Sequence, residues 1–440
     1  MANGWQWHSA AAIRRFIYKV GLWMSSRLSV LFLVTGAVLS CFIGCDVWTG
    51  EKTVPENKPG EVGCLVDKPI AAFQRELLDL AFETATVIPI RPHIKDRSRA
   101  QEAVVAASLE LDQPRRAHGY IRMIDDWRRG AGYADLAFYC AQHGKTKEAQ
   151  HYLELAGQIA RAPGIEDWRR DRVRVKIAQT HTWLGQTQQA EQFEAGVVES
   201  ESGKVARVQA MLSDADSFNA QIKALDALIG SGNVDIDIFK NALDAYAELF
   251  DRFYDNAERR SQVEEKIKTS LGNLPVLFRI ELLMELAGSA LDHVDQSKAL
   301  ERINEAQVIM DNYQWPPRFG LPLKARLAVL RFRAGNTQKA RTDADAALAL
   351  FDTVRDKMVD IDRAGAIRPL AEAYQSMGNA AAALAVYRRA VEEGVKNPNS
   401  RPHAEDLSAT CRSMALHGVE PDANLWARIR QIREGLGPPW

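Results

Sequence analysis

A hexapeptide returns at a fixed interval in this chain. Ile124-Asp125-Asp126-Trp127-Arg128-Arg129 recurs 41 residues later as Ile165-Glu166-Asp167-Trp168-Arg169-Arg170. In each copy an alanine follows the tryptophan after ten residues (Ala137, Ala178), a glycine after seven more (Gly144, Gly185) and an alanine after five more (Ala149, Ala190). The same alanine-glycine-alanine spacing returns as Ala328, Gly335, Ala340 and as Ala371, Gly378, Ala383. Matched offsets of this kind mark a tandem array, in which each unit buries its apolar face on its neighbours. Alanine at a crossing lets two helices approach closely, and glycine supplies the left-handed residue that turns one into the next.

Around the last copy Leu370, Ala371, Tyr374, Gly378, Ala383, Tyr387 and Ala390 fill out the pattern. On these residues the chain resembles the tetratricopeptide family, which implies an all-α fold, a right-handed α-solenoid of helix-turn-helix repeats. Two copies keep the alanines and lose the glycine: Ala245 and Ala257 flank Arg252, and Ala287 and Ala299 flank Val294. Weaker copies centre on Ala117 and Ala220, giving about eight units over residues 92–395 with steps of 30 to 43 residues. A leading helix is expected over 70–91. Helical pairs at 402–416 and 421–435, within a 396–440 tail, are expected to cap the last apolar face.

Before the repeats, residues 29–45 (SVLFLVTGAVLSCFIGC) form an uncharged run preceded by Arg14, Arg15, Lys19 and Arg27, with no acidic residue before Asp46. A segment this apolar engages a membrane or a translocon. Phe42-Ile43-Gly44-Cys45 resembles a bacterial lipobox, which implies lipidation at Cys45; an uncleaved anchor and an organelle transit peptide are the alternatives. Residues 24–45 then form the signal or anchor, with an internal start at Met24 setting apart the basic extension 1–23. Residues 46–69, with three prolines and three glycines, read as a tether. From Cys45 onward the formal charge is −5, which argues against nucleic-acid binding.

Catalytic and metal motifs are absent. The five cysteines show no metal spacing, and Cys140 and Cys411 fall in helical stretches as small buried residues. Gly144-Lys145-Thr146 lacks the earlier glycine of a phosphate loop, since Tyr139 stands there. Asp292-His293-Val294-Asp295 reads as a solvated turn. Neither a cofactor nor a metal is expected.

The family resemblance implies a concave wall lined by first-helix residues three before and one after the small crossing position. Here those positions include Phe138, Val175, Gln179, Tyr246, Met284, Val329, Arg368 and Glu372. They lack the lysines and asparagines of a carboxylate clamp. The expectation is a membrane-tethered, exported, non-catalytic scaffold that binds proteins in a bacterial periplasm or cell envelope, or on an organelle membrane. A ligand- or peptide-sensing regulatory domain and an enzyme without a recognisable motif are the alternatives.

Overall fold

The computed structural model describes residues 65–230 and 235–440. The signal, Cys45 and the tether up to residue 64 lie outside the described residues. Those described are all-helical and fold as an α-solenoid. No helix among them is long and apolar enough to cross a membrane.

Nine helices form an inner row: α2 (Ile90–Glu110), α4 (Arg128–Gln142), α6 (Asp167–Trp183), α8 (Glu199–Leu212), α10 (Ile236–Arg252), α12 (Val276–Asp292), α14 (Pro317–Arg333), α16 (Asp360–Ser376) and α18 (Ser400–His417). Each packs on the next in this order. The outer row holds α1 (Ala72–Val87), α3 (Pro114–Arg122), α5 (Thr146–Ala160), α7 (Thr187–Glu194), α9 (Phe218–Gly230), α11 (Ala257–Leu271), α13 (Gln296–Asp311), α15 (Thr337–Val354), α17 (Ala380–Glu393) and α19 (Ala423–Glu434). Inner neighbours run parallel, because contacts join residues about one repeat apart near both ends of the helices. Asn241 donates to the Ser200 carbonyl and Arg207 to Glu248, each across 41 residues.

The array does not stop at an open, capped end. Helix α18 packs along α1 and α2, more extensively than on its own successor α19. The Gln74 side chain donates to the Ala415 carbonyl at 2.8 Å, 341 residues away. Arg99 meets Glu405, and Arg430 and Arg433 meet Glu76 and Glu83. One apolar core runs through residues from both termini, from Leu77 and Phe82 to Cys411 and Ile429. In every complete repeat an outer helix lies antiparallel on its inner one, and α1 fills that place on α18. The described chain therefore closes into a ring whose last repeat is built from both ends, so the tail helices close a seam where the sequence suggested a cap.

Six of the spacing alanines are buried as crossing residues: Ala117, Ala149, Ala190, Ala299, Ala340 and Ala383. Ala137, Ala178, Ala328, Ala371, Tyr374, Tyr387 and Ala390 are buried too. Ala220 and Ala257 are exposed, contrary to the ladder. In those units Phe218, Ile222, Val263 and Ile267 carry the packing.

The turns share one geometry. Gly144, Gly185, Gly335, Gly378 and Gly418 have φ between +64° and +86°, and Asp112 and Val294 join them at +56° and +62°. At each, the next residue's N–H returns to the carbonyl five residues before it, as Asn336 does to Arg331 (3.0 Å) and Asp295 to Ala290 (2.9 Å). Val294 thus performs the turn without glycine, as a β-branched residue in a region that crowds its Cβ, and its side chain is 82% exposed. Arg252 is instead the last residue of α10, and its unit turns through Phe253–Asn256 without a left-handed residue. Val294→Gly is expected to stabilise the protein by about 1 kcal/mol, strain relief exceeding glycine's added unfolded-state entropy. Urea titration checks this; an unchanged or lowered midpoint would show that the site is not strained.

Candidate functional site

Each inner helix is covered by neighbours on both sides and by the outer row behind, which leaves one face turned to the ring interior. Counting from the residue seven before each turn, the crossing positions are Val105, Ala137, Ala178, Ala206, Tyr246, Ala287, Ala328, Ala371 and Cys411, all buried. The partly exposed residues of these otherwise buried helices recur at −6, −2, +1 and +5 from the crossing. With about 100° per residue these four positions share an arc of about 60°, whereas −3 points about 70° from its centre.

That geometry sorts the sequence-based lining set. Phe138, Gln179, Val329 and Glu372 occupy +1 and stand on the wall. Phe138 meets Trp183 edge to face, and Gln179 donates to the Lys204 carbonyl. Val175 and Met284 occupy −3 and are buried. Tyr246 is itself the crossing residue of α10, one place from the expected Ala245, and is fully buried with its hydroxyl on Asp226. Those three are corrected from wall to core. Arg368 also sits at −3 but stays partly exposed, because Asp406 and Thr410 on α18 draw its guanidinium sideways.

Sequence reasoning missed the wall's main constituent, a belt of opposite charges that pair from one inner helix to the next. Lys176 reaches Asp135 (2.5 Å), Arg172 Glu201 (3.3 Å), Arg333 Asp292 (2.8 Å) and Arg326 Glu281 (3.4 Å). Arg207 on α8 holds both Glu248 (2.7 Å) on α10 and Glu285 (2.8 Å) on α12. The readable signal was opposite charges 41 residues apart, as in Asp135 and Lys176, Arg207 and Glu248, and Asp292 and Arg333.

The belt is densest where Asp244, Glu248, Glu281 and Glu285 face Arg207 and Lys240. Burial pushes Glu285 up to about 7, helped by Asp244 and Glu248 and opposed by Arg207. Burial likewise raises Glu281. Burial works against charge on Arg207, yet Glu285, Glu248 and Asp244 outweigh it and hold the guanidinium protonated. On α18, burial lifts Asp406 to about 7 against the pull of Arg368.

The remaining sequence candidates are structural. His293 stacks on Tyr254, with ring centroids 4.3 Å apart, and contacts the Asp251 carbonyl. Asp295 caps α13 through the Lys298 N–H, and Asp292 pairs with Arg333. Burial lifts the Cys140 and Cys411 thiols to about 12, so both are inert. Trp127 and Trp168 meet edge to face at 5.8 Å, each beneath an arginine, linking successive repeats. Among the described residues, no group of three or more His, Cys, Asp or Glu is placed to hold a metal.

The rims differ. Nine of the fourteen large apolar residues exposed among the described residues lie where outer helices end and inner helices begin. They are Val87, Ile90, Met123, Trp168, Val198, Ile236, Tyr313, Val359 and Ile361. The rim of the left-handed turns exposes Val66, Leu212 and Val294. Scattered exposure needs no explanation, but its concentration along one edge does.

No family model matches the chain, and no curated protein matches it. Among solved structures it is similar to a circular tandem repeat protein with novel repeat topology and enhanced subunit contact surfaces. The identity is 13% over 82% of this chain and 94% of that one, at a TM-score of 0.27. So loose a superposition bears neither on the closure of this ring nor on what it binds.

Proposed function

We propose that this protein is a membrane-tethered, exported, non-catalytic scaffold of tetratricopeptide-like repeats, which docks other proteins on the apolar rim where its inner helices begin. The concentration of exposed apolar side chains on that rim carries the reading. A further feature favours a protein over a lipid surface: the apolar residues alternate with charges of both signs, among them Asp125 paired with Arg97, Glu166 with Arg169 and Asp167 with Arg170, a mixture that suits the polar surround of a protein interface. The segment leading into α1 runs along the other rim, where the Lys68 N–H donates to the Asp112 carbonyl and the Arg115 N–H to Asp67.

The shifted carboxylates of the wall are held in ion pairs, Glu281 with Arg326, Glu285 with Arg207 and Asp406 with Arg368, which suits a structural part for them. Photocrosslinkers placed at Ile236 and Ile361, with Leu212 on the opposite rim as control, test the docking surface in the native membrane. A defined protein adduct is expected from the first two positions and not from Leu212, and it should vanish in an Ile236→Asp, Ile361→Asp double variant of unchanged helicity. The same adducts from both rims would refute the assignment.

A further inference from the structure

Nine stations follow one another around the apolar rim, each where an outer helix ends and the next inner helix begins. Large apolar side chains are exposed at every station except those at α12 and α18. A homodimer closed by a two-fold axis needs a self-complementary face, on which each residue meets its counterpart's partner. In a ring of nine, an axis lying in the plane of the rim passes through one station and between the two opposite it.

One such axis sets the two bare stations, α12 and α18, on each other. It passes through the α6 station and emerges between α14 and α16. The same operation sets α2 on α10, so that Val87 and Ile90 of one ring face Ile236 of the other. It sets α4 on α8, Met123 facing Val198, and α14 on α16, Tyr313 facing Val359 and Ile361. Trp168, 43% exposed at the α6 station, meets its own copy at the axis. Every exposed apolar station is thereby covered by another.

The charges of the rim agree with that axis, although apolar residues alone select it. Around α2, α4 and α6, Arg91, Lys95, Arg122, Arg129 and Arg161 are exposed and form no ion pair among the described residues. At α8 and α10 the charges standing without an ion pair among the described residues are instead the acids Glu191, Glu194, Asp235 and Asp237. Burial, then the charge of Glu191, raises the Glu194 carboxyl, as befits acids without a counter-charge. The axis brings Arg91 and Lys95, where α2 begins, onto Asp235 and Asp237, where α10 begins. It brings Arg122, the last residue of α3, onto Glu194, the last of α7. At α12 and α18 the exposed Lys268 and Lys396 come together, which makes that arc the weakest of the contact.

We propose that the apolar rim binds a second copy of this chain, two rings stacking rim to rim about a two-fold axis through α6. This rests on the reading of that rim as a docking surface and names the protein that occupies it. The apolar side chains supply the area removed from water, and the opposed arcs of charge fix how one ring is turned on the other.

Sedimentation velocity of the full chain in detergent, over a range of concentrations, tests this. A species of two chains is expected, and it should weaken as salt is added. Arg122→Glu with Arg129→Glu should weaken the association at least about tenfold, because like charges then meet. Adding Glu191→Lys and Glu194→Lys to the same chain should restore it, which a merely misfolded variant could not do. With Cys41, Cys45 and Cys64 replaced by serine, Asp167→Cys, at a side chain 91% exposed beside the axis, should be joined to its copy by a short bismaleimide. Leu212→Cys on the other rim should not be. A wild-type chain that stays monomeric, a crosslinked Leu212→Cys dimer, or a fourfold variant of unchanged helicity that fails to reassociate would overturn the proposal. A monomer that still gives an adduct with a different protein at Ile236 overturns the second copy and leaves the docking reading standing, whereas a monomer without any adduct overturns both.

Discussion

Leu78→Asp in α1 is expected to loosen the chain at both ends at once, α18 losing protection together with α1 although more than 300 residues separate them. Leu78 is fully buried, in the core that joins Leu77, Ala81 and Phe82 of α1 to Cys411, Met414 and Ala415 of α18. Replacing it removes apolar burial and forces a carboxylate into that core, a combination that costs on the order of 5 kcal/mol. In an open solenoid the lesion would spread only to the nearest helices in sequence, since each repeat contacts its neighbours alone. In a closed ring it reaches both sides of the seam. Hydrogen exchange by peptide should therefore show residues 77–85 and 404–415 losing protection together, with α8 to α12 affected least. Unchanged protection over 404–415 would show that the ends do not meet.

The converse experiment joins the ends. Glu76 and Arg430 form an ion pair across the seam while both side chains remain about half exposed, so cysteines there disturb little. A short bismaleimide should bridge Glu76→Cys and Arg430→Cys within one chain and raise the melting temperature. Cys140 and Cys411 are buried, and Cys41, Cys45 and Cys64 are replaced by serine in this variant so that only the two introduced thiols react.

Why closure escaped the sequence follows from the same residues. Helix α1 is an outer helix whose inner partner is α18, at the other terminus. It has no alanine-glycine-alanine spacing to its own inner helix and no copy of the repeat to align with. The crossing alanines and turn glycines were legible because a single property, small size or a positive φ, decides each position. Val294 marks the limit of that logic, since the helices on either side impose a turn that its residue type resists. Between 200 and 260 the small crossing residue is replaced by Tyr246 in α10, and the outer helices pack through Phe218 and Val263, so the spacing could not locate the units. On the wall, the +1 positions were legible and the −2 positions were not. An inherited lining rule places −3 on the open face, and only the observed rotation of the inner helices shows Asp135, Lys176, Asp244 and Glu285 there instead.

Raising the pH from 4 to 8 is expected to weaken the wild-type ring relative to Glu285→Gln by on the order of 3 kcal/mol. Glu285 lies partly enclosed on the wall, and burial, reinforced by Asp244 and Glu248, lifts its carboxyl from 4.5 to about 7 in the folded protein. A carboxyl with a raised folded pKa binds its proton more tightly folded than unfolded, so its contribution is fully present below pH 4.5 and is lost as the pH climbs through about 7. The difference of about 2.5 pH units, at about 1.4 kcal/mol each, sets the size of the effect. Glutamine keeps an oxygen for Arg207 and never ionises, and Glu248 remains to balance the guanidinium. Other groups act oppositely: Lys68 and Tyr139 hold Asp112 below its usual range despite partial burial, so that group loses its contribution as the pH falls. The difference between wild type and Glu285→Gln removes such terms, which both proteins share. Urea midpoints at intervals across pH 4 to 8 should coincide at the acid end and part steadily above pH 5, with the glutamine variant the more stable. Parallel curves, or a variant weaker at pH 8, would mean that Arg207 divides its charge between Glu248 and Glu285 strongly enough to keep both ionised, and that the belt strengthens the ring at neutral pH.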